Sequence, residues 1–243
     1  MRHRLSIVMI TYNSERYLKE SLGSALFADE VLILDAGSQD NTLEIARALG
    51  AKVYQEPWRG FGRQKQRAVE LARNDWVFVL DSDEIITEEL KREILGVLQN
   101  PECDGYLVPR LNYFFGKPVK RCGLYPDYSL RLFNKKSGRF TEDPVHERVV
   151  INGKIGKLKN HMLHYAYESV EEFIEKQNRY STLGAKPSKF KAIISPFWTF
   201  FRLYFLKLGF LEGWRGFLIS ALYSQYTFWK YAKDRSNGEN THS

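Results

Sequence analysis

Between residues 5 and 83 short apolar runs alternate with helix-patterned segments, and that alternation leaves few folds open. Residues 5–10 read as a strand, and Ser14 offers an N-cap for a helix running to about residue 27. Residues 30–34 form a second strand, 41–49 a helix stopped by Gly50, 51–54 a third strand, and Gly60-Phe61-Gly62 leads into a helix over 63–73. Residues 76–80 are an unbroken apolar run, short enough for a strand buried on both faces. Four strand-helix units in succession predict an α/β fold, a mostly parallel sheet with helices on both faces.

In such sheets the chemistry sits at the carboxyl ends of the strands. The fourth strand stops at Asp81-Ser82-Asp83-Glu84. Asp81 and Asp83, two residues apart, can reach one hard cation whose other ligands are water and phosphate oxygens. Acids after a strand also make turns or cap the next helix, so the tripeptide alone does not decide. A dinucleotide enzyme is disfavoured, because the turn after the first strand is Thr11-Tyr12-Asn13-Ser14, without the Gly-x-Gly-x-x-Gly that lets a pyrophosphate approach the backbone.

At 243 residues, 44% hydrophobic and 14% aromatic, the chain is long and apolar enough to bury a large core. Cys103 and Cys122 lack metal-ligand spacing, and two thiols in a chain this size suggest a reduced compartment. The basic start followed by a six-residue apolar run reads as a strand, not a signal peptide, and no apolar run approaches the roughly 18 to 20 residues of a membrane span. A cytoplasmic protein is expected. The formal charge of +7 is localised: residues 186–235 hold nine Lys or Arg against two acids, while the rest carries 27 of each sign.

Four stretches, Ile7-Val8-Met9-Ile10-Thr11-Tyr12-Asn13, Leu34-Asp35-Ala36-Gly37-Ser38-Gln39-Asp40, residues 62–67 and Asp81-Ser82-Asp83-Glu84, together resemble the family 2 nucleotide-sugar glycosyltransferases of GT-A fold. The resemblance implies a UDP-sugar donor and Mg²⁺ or Mn²⁺ on its diphosphate. By position it places Thr11, Tyr12, Asn13, Asp35 and Lys65 at the nucleotide, Asp81 and Ser82 at ribose and diphosphate, and Asp83 with Asp81 at the metal. Many members carry two adjacent Asp after the second strand; here the second is Ala36. An Asp35 carboxylate would accept the ring N–H of uracil, which cytosine lacks. Asp40 has a competing reading as a helix cap.

Past residue 100, residues 105–110, 129–134 and 145–151 read as shorter strands. An inverting transferase needs a carboxylate to take the acceptor hydroxyl's proton. Asp143, within Glu142-Asp143, matches many family members; Val145-His146-Glu147, together with Arg139-Phe140, Arg131-Leu132-Phe133 and His164-Tyr165, resembles lipopolysaccharide core glucosyltransferases. Glu147 is therefore the first choice as base, Asp143 the second, and His146 an orienting or acceptor-binding residue. His161 and His164 sit at the end of a strand, where His164 can supply a third metal ligand or serve as a structural histidine. Residues 168–184 are helical, with Lys176, Arg179 and Tyr180 on one face.

From Phe190 onward apolar residues recur at spacings of three and four, interrupted at Pro196 and at residues 209–213, with Lys and Arg beside the stripe. Residues 190–233 thus suit an anionic membrane surface or, alternatively, a helical hairpin packed on the catalytic domain or a second copy, and no nucleic-acid motif accompanies them. Three segments are expected: 1–100 for the nucleotide-sugar, 101–185 for the acceptor and catalysis, and 186–243 for the membrane. The chain is expected to move a sugar, glucose by resemblance, from UDP to a lipid-attached saccharide such as lipopolysaccharide inner core, on the inner face of the cell membrane. The alternatives are a polyprenyl-phosphate transferase, with a phosphate oxygen as nucleophile, and a membrane-binding module without catalysis.

Overall fold

The expected alternation is realised as β1 (Leu5–Thr11), α1 (Glu15–Ala25), β2 (Glu30–Asp35), α2 (Thr42–Ala48), β3 (Lys52–Gln55), α3 (Phe61–Leu71) and β4 (Trp76–Val79) in a computed structural model that describes residues 2–141 and 148–233. There follow β5 (Glu84–Ile86), α4 (Glu88–Val97), β6 (Gly105–Phe114), β7 (Lys117–Pro118), β8 (Asp127–Asn134), β9 (Gly138–Phe140), β10 (Val149–Ile151), β11 (Ile155–Lys157) and β12 (Met162–Tyr167). Helices α5 (Val170–Leu183), α6 (Lys189–Phe201) and α7 (Trp214–Ala232) complete the described chain. It divides into two compact units, one comprising residues up to Arg110 with Asp127–His164, the other Leu111–Pro126 with residues from Tyr165 onward.

In the first unit β3, β2, β1 and β4 are parallel neighbours, and β8 then pairs antiparallel with β4 and β6 with β8. Alternation along the strands sends side chains to two cores. Leu5, Ile7 and Met9 of β1 pack with Leu18 and Leu22 of α1, Ala46 of α2 and Leu90 and Ile94 of α4; Val8 of β1 and Leu32 and Leu34 of β2 pack with Ala68 and Val69 of α3 and with Ala72 just past it. This is the mostly parallel sheet with helices on both faces that the sequence predicts.

Two elements between residues 84 and 97 have no counterpart in the sequence reading. Thr87 caps α4, its hydroxyl accepting from Leu90 N–H at 3.3 Å, with Glu88 and Glu89 in the positive first turn. His161 immediately precedes β12 and His164 lies within it, neither at a strand's end, because β12 runs from Met162 to Tyr167.

In the second unit Phe114, Val119, Tyr167 and Phe173 pack with Ile219 and Leu222 of α7. Pro196 does not divide α6, which runs through it; Ser224 Oγ donates to the Pro196 carbonyl at 2.8 Å. The break comes later, in a π turn over Arg202–Leu206 and at Leu208, whose φ of 55° is left-handed. No helix of the described residues is long and apolar enough to cross a membrane.

Candidate active site

Asp81 lies just beyond β4, where Leu80 N–H still donates to Val8 O at 3.0 Å. Glu84 closes the turn twice: its N–H donates to Asp81 O at 3.0 Å, and its Oε2 accepts from Asp81 N–H at 3.1 Å. One oxygen of Asp81 meets Lys65 Nζ of α3 at 3.0 Å and the other meets Arg131 Nη2 of β8 at 2.8 Å. The same Arg131 nitrogen donates to Glu84 Oε1 at 2.5 Å, and Glu84 is fully buried. Arg110 extends the chain of alternating charge, with Nη1 3.6 Å from Glu84 and Nη2 2.6 Å from Asp127.

Burial alone would raise the Asp81 pKa, but the Arg131 and Lys65 charges outweigh it and hold the carboxyl well below the usual range. Burial pulls Arg131 down and the charges of Asp81 and Glu84 push it up, the net shift being upward. Both groups stay charged at neutral pH. Asp81 keeps 28% of its side chain exposed, so its carboxylate reaches the surface of the site already oriented.

Asp83 is more open, at 35%, and its Oδ2 lies 3.7 Å from His164 Nε2, because the β12–β5 register places His164 opposite Glu84. Among the described residues no three His, Cys, Asp or Glu side chains gather to hold a metal ion. A cation that keeps its waters and takes phosphate oxygens needs only one or two protein ligands. The oxygen of Asp83 and the nitrogen of His164 fit that need. Asp81 would join only by releasing Lys65 or Arg131.

The ends of β1 and β2 are tied together. Asp35, fully buried, accepts at one oxygen from Gly37 N–H (2.9 Å) and Ser38 N–H (2.8 Å), and at the other from Thr11 Oγ1 (2.8 Å) and Ser38 Oγ. Those four bonds fill a carboxylate's acceptor positions. Asp35 and Thr11 thus brace the loop that joins the ends of β1 and β2. Asn13, at φ 47°, donates its N–H to Ser38 Oγ and accepts from Gln39 N–H, while Tyr12 is largely exposed. Asp40 caps, accepting from Thr42 N–H and Glu15 N–H. Ser82 is half-buried beside Asp81.

The model of Glycosyl transferase family 2 matches residues 6–150, well over half the chain. An uncharacterized glycosyltransferase of Rickettsia bellii is 31% identical over 253 residues, covering 96% of this chain and 86% of the relative. The chain belongs to glycosyltransferase family 2. The lipopolysaccharide core biosynthesis glycosyltransferase LpsC of Rhizobium meliloti is 32% identical over 251 residues, covering 94% of this glycosyltransferase and 91% of LpsC. A crystal structure of S. aureus TarS, residues 1–349, aligns with 92% of the chain and 81% of its own at 21% identity and a TM-score of 0.49.

The residues expected to act as base or to orient the acceptor, Asp143, His146 and Glu147, lie outside the described residues. Of the expected site residues the structure pairs Lys65 with Asp81, and Asp83 with His164. Sequence reasoning gave no role to Glu84 or Arg110 and used Arg131 only as part of a resemblance. A charged residue in an apolar strand was the available clue: Arg131 sits between Leu130 and Leu132, and Glu84 precedes Ile85 and Ile86. Lys176 of the second unit lies over the Tyr167 ring at 5.0 Å.

Proposed function

We propose that this glycosyltransferase moves a sugar, with inversion, from a UDP-sugar to a hydroxyl of a lipid-attached saccharide at an anionic membrane surface. The observation that carries the reading is Asp81, held between Lys65 and Arg131 at the strand ends beside the open Asp83–His164 pair. Asp83 and His164 would hold Mg²⁺ or Mn²⁺, which when bound neutralises charge developing on the departing diphosphate. Asp81, Ser82 and Lys65 orient the ribose and diphosphate so that the anomeric carbon is fixed, and Tyr12 and Asn13 border the nucleotide. Glu147 accepts the acceptor hydroxyl's proton as the glycosidic bond forms, with Asp143 as the second choice and His146 orienting the acceptor.

The similarity to LpsC supports a lipopolysaccharide core acceptor, and glucose is the sugar suggested by the sequence resemblance. Phe190, Phe197, Trp198 and Trp214 are all more than half exposed, interspersed with exposed Lys189, Lys191, Arg202 and Lys207. Aromatics with interleaved cations suit the headgroup region of an anionic bilayer, and support a peripheral position on the inner face of the membrane. A screen of nucleotide-sugars for hydrolysis and transfer tests the donor. Turnover of UDP-glucose with Mn²⁺ is the expected result, and turnover confined to non-uridine donors overturns the reading.

A further inference from the structure

The turn that joins α6 to α7 is built from residues that turns normally avoid. Gly, Asn, Asp and Ser are usual there, yet residues 205–214 read Phe-Leu-Lys-Leu-Gly-Phe-Leu-Glu-Gly-Trp. Leu206, Leu211 and Trp214 are each more than half exposed, so no other described residue covers them.

A second segment, distant in sequence, lies against this turn. The loop after β7 is held to it by three hydrogen bonds: Lys120 N–H and Arg121 N–H both donate to Glu212 Oε1, at 3.0 and 3.1 Å, and Cys122 N–H donates to Lys207 O at 3.0 Å. The Lys207 stem passes Gly123, where a Cβ would come within 3.3 Å of it. Residues 111–126 and 200–216 together hold Lys117, Lys120, Arg121, Arg202, Lys207 and Arg215 against one acid, Glu212. That acid is half-buried with an oxygen already engaged, whereas Lys117, Lys120, Arg121 and Lys207 are exposed. Exposed leucine and tryptophan beside unbalanced cations complement a surface that is anionic outside and apolar beneath.

We propose that residues 117–121 and 205–214 form one docking surface for an anionic phospholipid bilayer. Leu206, Leu211 and Trp214 enter the headgroup region, Lys120, Arg121 and Lys207 meet lipid phosphates, and Glu212 is the positioning residue that holds the loop to the turn. The inference rests on the membrane reading above and narrows the contact to one tip, with the cations of α6 secondary. Each cation near an anionic surface is worth about fivefold in affinity.

The test is partition of the full chain onto phosphatidylcholine vesicles with and without phosphatidylglycerol. Lys120→Gln with Arg121→Gln should weaken binding to the anionic vesicles by roughly twenty- to thirtyfold, and unchanged binding overturns the proposal. Lys189→Gln with Lys191→Gln, both exposed on α6, should cost no more than about fivefold; a loss equal to that of the first pair means diffuse attraction and overturns the site. Glu212→Gln and Glu212→Ala remove the same negative charge, but only Gln keeps an oxygen for the two N–H groups. The Ala variant should therefore bind severalfold more weakly than the Gln variant, and equal affinities overturn the positioning role. A dimeric wild type that Leu211→Glu renders monomeric, with vesicle affinity kept, makes a second copy the occupant and overturns the proposal too. A wild type that binds neither vesicle removes the membrane reading itself, and is distinguished by failing before any variant is made.

Discussion

Arg131→Met removes the cation shared by Asp81 and Glu84 while keeping most of the side-chain volume. Glu84 is fully buried, and its remaining cation among the described residues is Arg110 at 3.6 Å, while that of Asp81 is Lys65 at 3.0 Å. Breaking a buried ion pair from one side typically costs about 3–5 kcal/mol, and the retained Arg110 places this change near the lower figure. The loss should depend on pH in a defined direction. The folded-state pKa of Asp81 lies below its unfolded value, so its contribution is complete above the ordinary aspartate range, roughly pH 4, and is lost as pH falls through the folded pKa. Urea denaturation of both proteins at pH 7 and pH 3 should show a wide stability gap that narrows in acid. Glu84→Gln, which leaves Arg131 to Asp81 alone, should cost less. A variant as stable as the wild type at pH 7, or a gap that widens in acid, refutes the assignment of Arg131 as the counter-charge that holds the turn.

Three other outcomes are expected. Asp83→Ala should abolish divalent-stimulated transfer, measured with and without Mn²⁺; unchanged stimulation moves the cation elsewhere. Glu147→Gln should lower turnover by about 10²–10⁴-fold with donor affinity retained, while Asp143→Asn stays within about tenfold, and the reverse ranking makes Asp143 the base. Phe197→Glu with Trp214→Glu, both on exposed positions, should end flotation with anionic liposomes without lowering the melting temperature; continued flotation shows that these side chains are not the contact.

The donor half of the fold was legible because its instructions are local. Apolar runs at 7–10, 31–34 and 76–80 stop within a residue of their strands' ends, and Gly50 and Gly60, both at positive φ, mark the joins. Asp81 and Asp83 could be placed because β4 ends abruptly before them. What holds Asp81 was not legible, since Arg131 arrives from β8, fifty positions away, through an antiparallel register that pairs Phe78 with Leu132. The place of Asp35 at the end of β2 was legible, whereas its bonds to Ser38 and Thr11 were not. The tail's stripe of aromatics was plain, whereas its break point was not. Proline's missing N–H drew attention to residue 196, while the chain reverses at Leu208.

The claim on which the rest depends is that the carboxylates beyond β4 receive a nucleotide diphosphate together with a divalent ion. Isothermal titration of UDP into the full chain, in Mn²⁺ and again in EDTA, tests it most directly. Binding in Mn²⁺ that is lost in EDTA and in Asp83→Ala is the predicted result; UDP binding indifferent to both, or none at all, contradicts the account.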